Sequence, residues 1–345
     1  MPMLRKRVER RATLIDYERI VDENGRRLVF FGRQAGLAGM IDTLWALGRS
    51  LEKEGIPSPF AAIRQTIDYA SLVDAREAVQ RVGWEIYNKG FESSLAPLII
   101  GFAGYGHVSQ GAQEIFDLLP FEELCPRRVD DLFRRANHTN RKVYKVVFKE
   151  EDMVKPKDRR AKFNLQDYYD QPQKYRPVLE QYLPRLTALV NAIYWAPQYP
   201  RFVTIPFLRK LWRRPGRPRL RVIGDISCDA AGGIECTVKC TTPVQPVFTY
   251  DVEKGQALEG FSGNGPVIMA VDNLPAEISL ESSVFFSQTL KPFIPALVRA
   301  DFQRDFAHCG LPASLLKAVI LFRGQFTPDY GYMQDFIRQL ERSHP

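Results

Sequence analysis

The sequence predicts an α/β fold, a Rossmann-like doubly wound parallel sheet accompanied by fragments of a second α/β domain. Three observations carry this. An apolar run over residues 97–103 passes straight into a glycine turn, Gly104-Tyr-Gly106-His-Val-Ser-Gln-Gly111, and then into a helical stretch over 112–119, the strand, turn and helix order of a dinucleotide-binding unit. Segments of helical period alternate with strand-length apolar runs along the rest of the chain. The 345 residues, 45% of them apolar, are enough for about two domains.

The elements are predicted in order as follows. Residues 14–27 end in a turn signal at Asn24-Gly25, and 28–31 form a short apolar strand. A helix follows over 35–51, where Leu37, Met40, Ile41, Leu44, Leu47 and Leu51 recur at helical spacing; Gly36 and Gly39 near its start point to close backbone packing. After the break at Pro57 and Pro59, an amphipathic helix covers 71–87. In the glycine turn, Gly104 permits the tight bend and Gly106 lets a pyrophosphate approach the backbone, while the next helix offers its unpaired N–H groups to the anion. Ser109 stands where a third glycine is usual and is small enough for close helix-to-strand packing. A glycine turn of this kind also occurs as a purely structural feature.

The acid that usually follows to hold a ribose 2′-hydroxyl is missing from the next strand, read as Phe121 to Arg128. Arg127 and Arg128 lie there instead, and arginine accommodates a 2′-phosphate, so the cofactor is NADP or NAD with NADP(H) favoured. Residues 143–148 read as a strand, and 152–177, polar and rich in tyrosine and lysine, as a surface excursion. Apolar segments at 186–195 and 219–225 complete the parallel sheet. Strand ends in such sheets line the cofactor crevice, which makes Tyr194, Trp195, Ser227, Cys228 and Asp229 site candidates, with Gly232-Gly233 turning the backbone beside them. A last strand at 266–271 leads to Asp272 and Asn273, read equally as ligand contacts or as a helix cap. A helix over 280–297 is interrupted by Pro292 and Pro295.

Charge and cysteine usage exclude several classes. The net charge is +8, but seven cations and no acid lie between Arg209 and Arg221, so the basicity is local. Pro215, Gly216 and Pro218 mark that stretch as a solvated loop, and a nucleic-acid partner is not expected despite Trp212 within it. Five cysteines without a CxxC pair or nearby histidine give neither a disulfide framework nor a metal set. No run approaches the ~20 apolar residues of a membrane span, and the basic amino terminus lacks a signal-peptide core. A cytoplasmic protein is expected.

Five motifs, LIDYERIVDENGRRLVFFGRQAGLAGM, GYGHVSQGA, VNAIYW, GDISCDAAGGIE and VDNLPAEISLESSVFF, resemble in order the lysine-ketoglutarate reductase and lysine-forming saccharopine dehydrogenase family, relatives of alanine dehydrogenase. The resemblance covers residues 14–297. It implies a two-domain enzyme interconverting saccharopine with lysine and 2-oxoglutarate by hydride transfer. By the same resemblance Arg26, Arg27 and Phe31 bind substrate; Gly104, Gly106, His107, Val108 and Ser109 hold the pyrophosphate; and Ile193 and Tyr194 lie near the nicotinamide. Asp225, Ile226 and Ser227 lie beside ribose and nicotinamide, Asp272 and Asn273 follow the DNLP pattern of the saccharopine enzymes, and Asp229 is catalytic by analogy with alanine dehydrogenase. Saccharopine carries three carboxylates, and bidentate arginine is the side chain suited to anchoring them.

In the family a lysine and a histidine for proton transfer precede the first motif, which here begins a dozen residues from Met1, and His107, His138, His308 and His344 do not replace them. The expectation is a remnant of the substrate domain at 1–33, a cofactor domain at 34–271 and a helical tail at 272–345 returning to the substrate domain. The chain then works either as part of a complete oxidoreductase or as a catalytically incomplete nucleotide-binding remnant. It is paired as a homo-oligomer or with a separately encoded catalytic fragment. Phe293, Ile294, Leu297 and Phe302 in the tail are expected to be exposed or covered by a partner.

Overall fold

The computed structural model describes residues 2–134 and 138–336. The chain divides into two units, Met1–Phe31 with Ser282–Pro345, and Gly32–Glu281. The smaller unit opens with α1 (Pro2–Glu9) and β1 (Leu14–Ile15).

The larger unit starts with α2 (Gly32–Lys53), the predicted apolar helix, and α3 (Leu72–Lys89), whose Ser71 hydroxyl accepts the Asp74 N–H at 3.2 Å as an N-cap. Then come β2 (Ile99–Ala103), α4 (His107–Phe116), β3 (Phe121–Leu124), α5 (Val129–Arg134) and β4 (Val143–Phe148). A short helix α6 (Glu150–Met153) leads to β5 (Val154–Pro156), α7 (Leu165–Asp170) and β6 (Tyr175–Pro177). The unit continues with β7 (Ala188–Asn191), α8 (Ile205–Trp212), β8 (Val222–Asp225), β9 (Val247–Asp251), β10 (Gln256–Glu259) and β11 (Val267–Met269).

Eight of these strands form one sheet in the order β10-β9-β11-β8-β7-β2-β4-β3. The six from β11 to β3 pair in parallel, while β9 and β10 are an antiparallel hairpin at one edge. Both faces are covered, as all-parallel strands require. Ile100 and Phe102 point into a core with Leu37, Ile41 and Phe116, whereas Ile99 and Ala103 point into a second core with Leu208 and Tyr168. The period-two alternation along β2 therefore feeds two apolar layers, which is the doubly wound architecture the sequence predicts.

The smaller unit is completed by α9 (Ser279–Leu290), which begins at the end of the larger one, α10 (Ile294–Arg299), α11 (Ala313–Leu316), β12 (Val319–Phe322) and β13 (Gln325–Phe326). Strand β12 pairs antiparallel with both β1 and β13, Leu14 lying opposite Leu321. The predicted helical tail is thus part strand. Its core gathers Ile20, Val29, Leu315, Val319 and Phe322. Of the tail's four apolar residues expected at the surface, Ile294 is 48% exposed, while Phe293, Leu297 and Phe302 are half-buried against this core.

Three further expectations are corrected. Residues 28–31 form no strand; the Asn24-Gly25 turn is closed by a bridge from Val21 to Arg27, and Val29 buries its side chain from irregular backbone. Residues 152–177 are not a surface excursion, because Val154, Tyr168 and Tyr175 are buried and β5 pairs with β6. Their tyrosines misled the reading: the rings of Tyr168 and Tyr175 pack edge-on at 5.3 Å, and the Tyr175 hydroxyl donates to Asp167 at 2.9 Å, so polar tips are satisfied while the bodies join the core.

The basic run is only partly a solvated loop. Arg209 and Lys210 belong to α8, and Arg217 and Arg221 pair with the buried Glu54 at 3.2 and 3.0 Å. Arg219 donates to the carbonyls of Leu95 and Pro97 at 2.5 and 2.6 Å, and burial pushes its guanidinium down to about 10. Much of the apparent charge excess is structural. No described helix is long and apolar enough to cross a membrane.

Candidate functional site

Five of the six parallel strands, β4, β2, β7, β8 and β11, end on one edge of the sheet where the site is built. Strand β2, buried along its length, delivers the chain to Gly104 at φ +95°. A side chain at Gly104 would be strained by that φ and would sit 3.1 Å from the Ala192 carbonyl oxygen. Gly106 is the N-cap of α4, and a Cβ added there would meet no atom within 4 Å. The backbone is therefore open on the side where an anion would approach the first N–H groups of α4.

His107 is exposed, Val108 half-buried and Ser109 fully buried, its hydroxyl accepting from Gln113 Nε2 at 3.0 Å. Serine thus fits the place of a third glycine. A close backbone approach falls instead at Gly111, against α2. A Cβ there would be 2.1 Å from the Arg33 carbonyl oxygen.

A cavity of about 370 Å³ opens beside the turn, lined by Gly104, Tyr105, Gly106, Glu150, Met153, Val154, Tyr168, Tyr169, Ala192, Ile193, Tyr194, Tyr199 and Phe202. Its apolar and aromatic walls with a few polar groups suit a flat heterocycle and a sugar. The structure brings Ile193 and Tyr194 to the glycine turn, as the strand-end argument requires. It also adds Glu150 and the tyrosines of the 152–177 segment, which sequence reasoning missed.

The strand beside β2 is β4, not β3, and the residue two past its end is Glu150. With β3 and α5 lying between α4 and β4, Glu150 stands 44 residues beyond Gly106, outside the ~20-residue spacing at which a ribose-binding acid is usual. Tyr169 donates to Glu150 Oε1 at 2.8 Å, and burial and that carboxylate push the phenol up. Arg127 follows the outer strand, where its charge acts on Asp152 and Tyr182. Arg128 lines a separate cavity with Glu122, Asp131 and Lys142.

Farther along the same edge, Asp225 ends β8 fully buried. Asn191 Nδ2 donates to its Oδ1 at 2.8 Å and the Thr237 hydroxyl to its Oδ2. Burial nevertheless dominates and pushes its carboxyl up to about 6. Ile226 and Ser227 hang from the Asn191 carbonyl through N–H bonds of 3.0 and 3.3 Å. Asp229 is exposed, in a bend where Ala231 has φ +56° and Gly232 N–H donates to the Asp229 carbonyl at 2.8 Å. Cys228 is half-buried, its sulfur 4.0 Å from that of Cys240. Asp272 and Asn273 are exposed after β11, and Asn273 precedes a 3-10 turn without capping it through its side chain.

Arg26, Arg27 and Phe31 lie in the smaller unit. Arg26 Nε pairs with Asp22 at 2.9 Å, Arg27 with Glu18 at 3.4 Å, and the Phe31 ring stacks on Phe286 at 5.7 Å. His138 contacts the Leu132 carbonyl and His308 bonds Asp305 at 2.8 Å; His344 lies outside the described residues. No cluster among the described residues could hold a metal ion.

No protein-family model matches the chain. It is 36% identical over 355 residues to alpha-aminoadipic semialdehyde synthase of Arabidopsis thaliana, covering 100% of this chain and 32% of that protein. It is 31% identical to the mitochondrial alpha-aminoadipic semialdehyde synthase of Mus musculus, over 99% of this chain and 38% of the relative. The lysine-forming, NAD(+) saccharopine dehydrogenase of Schizosaccharomyces pombe is 24% identical over 84% of this chain and 63% of its own length. This chain spans about a third of the length of the semialdehyde synthases. A solved L-alanine dehydrogenase superposes with a TM-score of 0.52 at 14% identity, over 98% of this chain and 72% of that one, a likeness of fold.

Proposed function

Because the chain belongs to the family of the alpha-aminoadipic semialdehyde synthases and lysine-forming saccharopine dehydrogenases, we propose that it is the nucleotide-binding part of an oxidoreductase of lysine metabolism, interconverting saccharopine with lysine and 2-oxoglutarate. The observation that carries the nucleotide reading is the open backbone at Gly106. The cradle a Cβ would fill lies at the N-terminus of α4, beside a cavity large enough for part of a dinucleotide. When bound there, a nicotinamide dinucleotide supplies or accepts the hydride.

The chain's own groups bind and orient. Gly104 and Gly106 let the pyrophosphate approach α4, with His107, Val108 and Ser109 forming the first turn. Glu150, Ile193 and Tyr194 border the cavity. Asp225 fixes Asn191 and, being pushed up to about 6, holds or releases a proton near neutrality at the strand end. Asp229 and the Asp272-Asn273 pair are proposed to face the reacting part of the site. Arg26, Arg27 and Phe31 are proposed as substrate contacts, arginine matching the carboxylates of saccharopine.

Gly106→Val tests the nucleotide site. Since a side chain there meets open space, the variant is expected to melt within about 2 °C of the wild type, yet to bind dinucleotide at least ~30-fold more weakly, about 2 kcal/mol. Equal binding in fluorescence titrations would count against the reading. The reaction is tested by following oxidation of reduced nucleotide with lysine and 2-oxoglutarate together. Turnover that needs both supports the oxidoreductase; turnover with pyruvate and ammonium would favour an alanine dehydrogenase-like activity instead. Nucleotide binding with neither turnover would make the chain a binding remnant or partner subunit.

A further inference from the structure

We propose that α3 is the contact between two copies of this chain, each laying the outward face of the helix antiparallel on that of the other about a two-fold axis near Gly83. The inward face of α3 is already covered, since Ala75, Val79, Val82 and Ile86 are buried in the core of the larger unit. The outward face is not the purely polar one that an amphipathic surface helix turns to water. Trp84 and Tyr87, one turn apart, are 65% and 66% exposed, and Val73, 61% exposed, lies about three turns back on the same stripe. Tryptophan and tyrosine are enriched in protein interfaces and at the few positions that dominate their energy.

The charges beside this stripe identify the occupant. Glu77, Arg81, Glu85 and Lys89 follow one another at four-residue spacing along one ridge of α3 and alternate in sign. Within the chain Arg81 lies 3.7 Å from Glu77, and Lys89 lies 3.3 Å from Glu85. Followed from its other end, the row has the opposite sign at every position. An antiparallel copy therefore sets Glu77 against Lys89 and Arg81 against Glu85, and the two-fold axis repeats each pair. A parallel copy in register would set every charge against its like, which is unfavourable. The register that pairs all four charges centres the axis between Arg81 and Glu85, so Trp84 of one copy meets Trp84 of the other at the middle of the contact, where burial counts most. Ridges of four-residue spacing packed into one another are also the commonest geometry between helices.

The experiment is sedimentation velocity of the full chain over a range of concentrations. The wild type is expected to be dimeric at about 50 μM and to dissociate on dilution. Trp84→Ala, at an exposed position, is expected to keep the wild-type melting temperature and to weaken the dimer at least about 30-fold. Arg81→Glu and Glu85→Arg each bring like charges together at both repeats of the contact, and each is expected to weaken self-association at least about tenfold. Mixed one to one, these two variants restore every opposite-charge pair, so the mixture is expected to dimerise as the wild type does, a recovery that damaged folding could not produce. A wild type that stays monomeric at about 100 μM, a dimer that Trp84→Ala leaves equally tight, or charge variants of wild-type melting temperature that do not recover on mixing overturns the proposal.

Discussion

Gly36→Ala is expected to lower the melting temperature by about 4 °C and to weaken dinucleotide binding, although alanine is the better helix former. Helices α2 and α4 cross with their backbones in contact. A Cβ at Gly36 would lie 2.0 Å from the Val108 carbonyl oxygen and 2.7 Å from the Ala112 nitrogen, and one at Gly111 would lie 2.1 Å from the Arg33 carbonyl oxygen. None of these atoms ends a flexible side chain. The helices must separate, which also stretches the Arg33–Glu114 pair, now bidentate at 2.7 and 2.5 Å.

Alanine gains about 1 kcal/mol of helix propensity over glycine, but overpacking costs 1–3 kcal/mol and occasionally more. Against immobile backbone the upper end applies, so the net loss is about 2 kcal/mol, or about 4 °C at roughly 2 °C per kcal/mol for a chain of this size. The effect on binding follows because α4 carries the glycine turn at its own N-terminus. Gly39→Ala is the internal control. Its Cβ would meet the Ile226 side chain at 2.7 Å, which can turn aside, and its loss should be less than half as large. Calorimetry of both variants checks this; a Gly36→Ala protein as stable as the wild type would remove the crossing as a determinant of the fold.

That crossing shows what was legible. Gly36 and Gly39 stand out in an apolar helix because glycine there wastes propensity, and the close approach at Gly36 repays it. The inner parallel strands β2, β4, β7, β8 and β11 were legible for a similar reason, since each is a short, mainly apolar run buried on both faces. The β9–β10 hairpin was not, because the edge strand β10 is exposed and polar at Gln256 and Glu259 and leaves no alternating apolar signal. Nor was strand order. Sequence places β3 next after α4, yet hydrogen bonding places β4 beside β2, and local pattern carries nothing about pairing across 40 residues.

The site divided in the same way. Gly104, Gly106 and Ser109 were readable because a turn and a close approach constrain residue type locally. Glu150 became readable only once the sheet order was known. The tyrosines of 168–175 were hidden by their hydroxyls, which made a core segment look solvated. Arg217, Arg219 and Arg221 were misread because a buried partner such as Glu54 lies more than 160 residues away in sequence. Charge counts along a chain do not reveal such pairs.

Glu277→Gln is expected to flatten the pH dependence of stability, with the variant gaining on the wild type as pH rises. Asp42 is fully buried on α2, where the Thr66 N–H donates to Oδ1 at 2.8 Å and the Thr66 hydroxyl lies 2.9 Å from the same oxygen. Its Oδ2 and both carboxyl oxygens of Glu277 have no N–H or O–H donor among the described residues. The two carboxyls instead lie within hydrogen-bonding reach of each other. Two ionised carboxylates cannot share such a site, so a proton is held between them. Burial first, and the Asp42 charge second, raise Glu277 far above the usual carboxylate range.

The sign follows from linkage. The unfolded chain releases this proton near 4.5, the ordinary value for glutamate, while the folded chain keeps it. Above that pH the folded state binds more protons than the unfolded one, so stability falls by about 1.4 kcal/mol per pH unit until the raised value is reached. Glutamine offers an amide donor to Asp42 Oδ2 with no proton to lose, and leaves the charge of the pair at neutrality unchanged. Urea unfolding should therefore find the two proteins closest near pH 5 to 6, and by pH 8 the variant should have gained about 3 to 4 kcal/mol on the wild type. Parallel profiles across that range would mean that no proton is shared at this site. A variant less stable at every pH, yet flatter, would keep the shared proton and assign the remaining loss to imperfect packing of the amide.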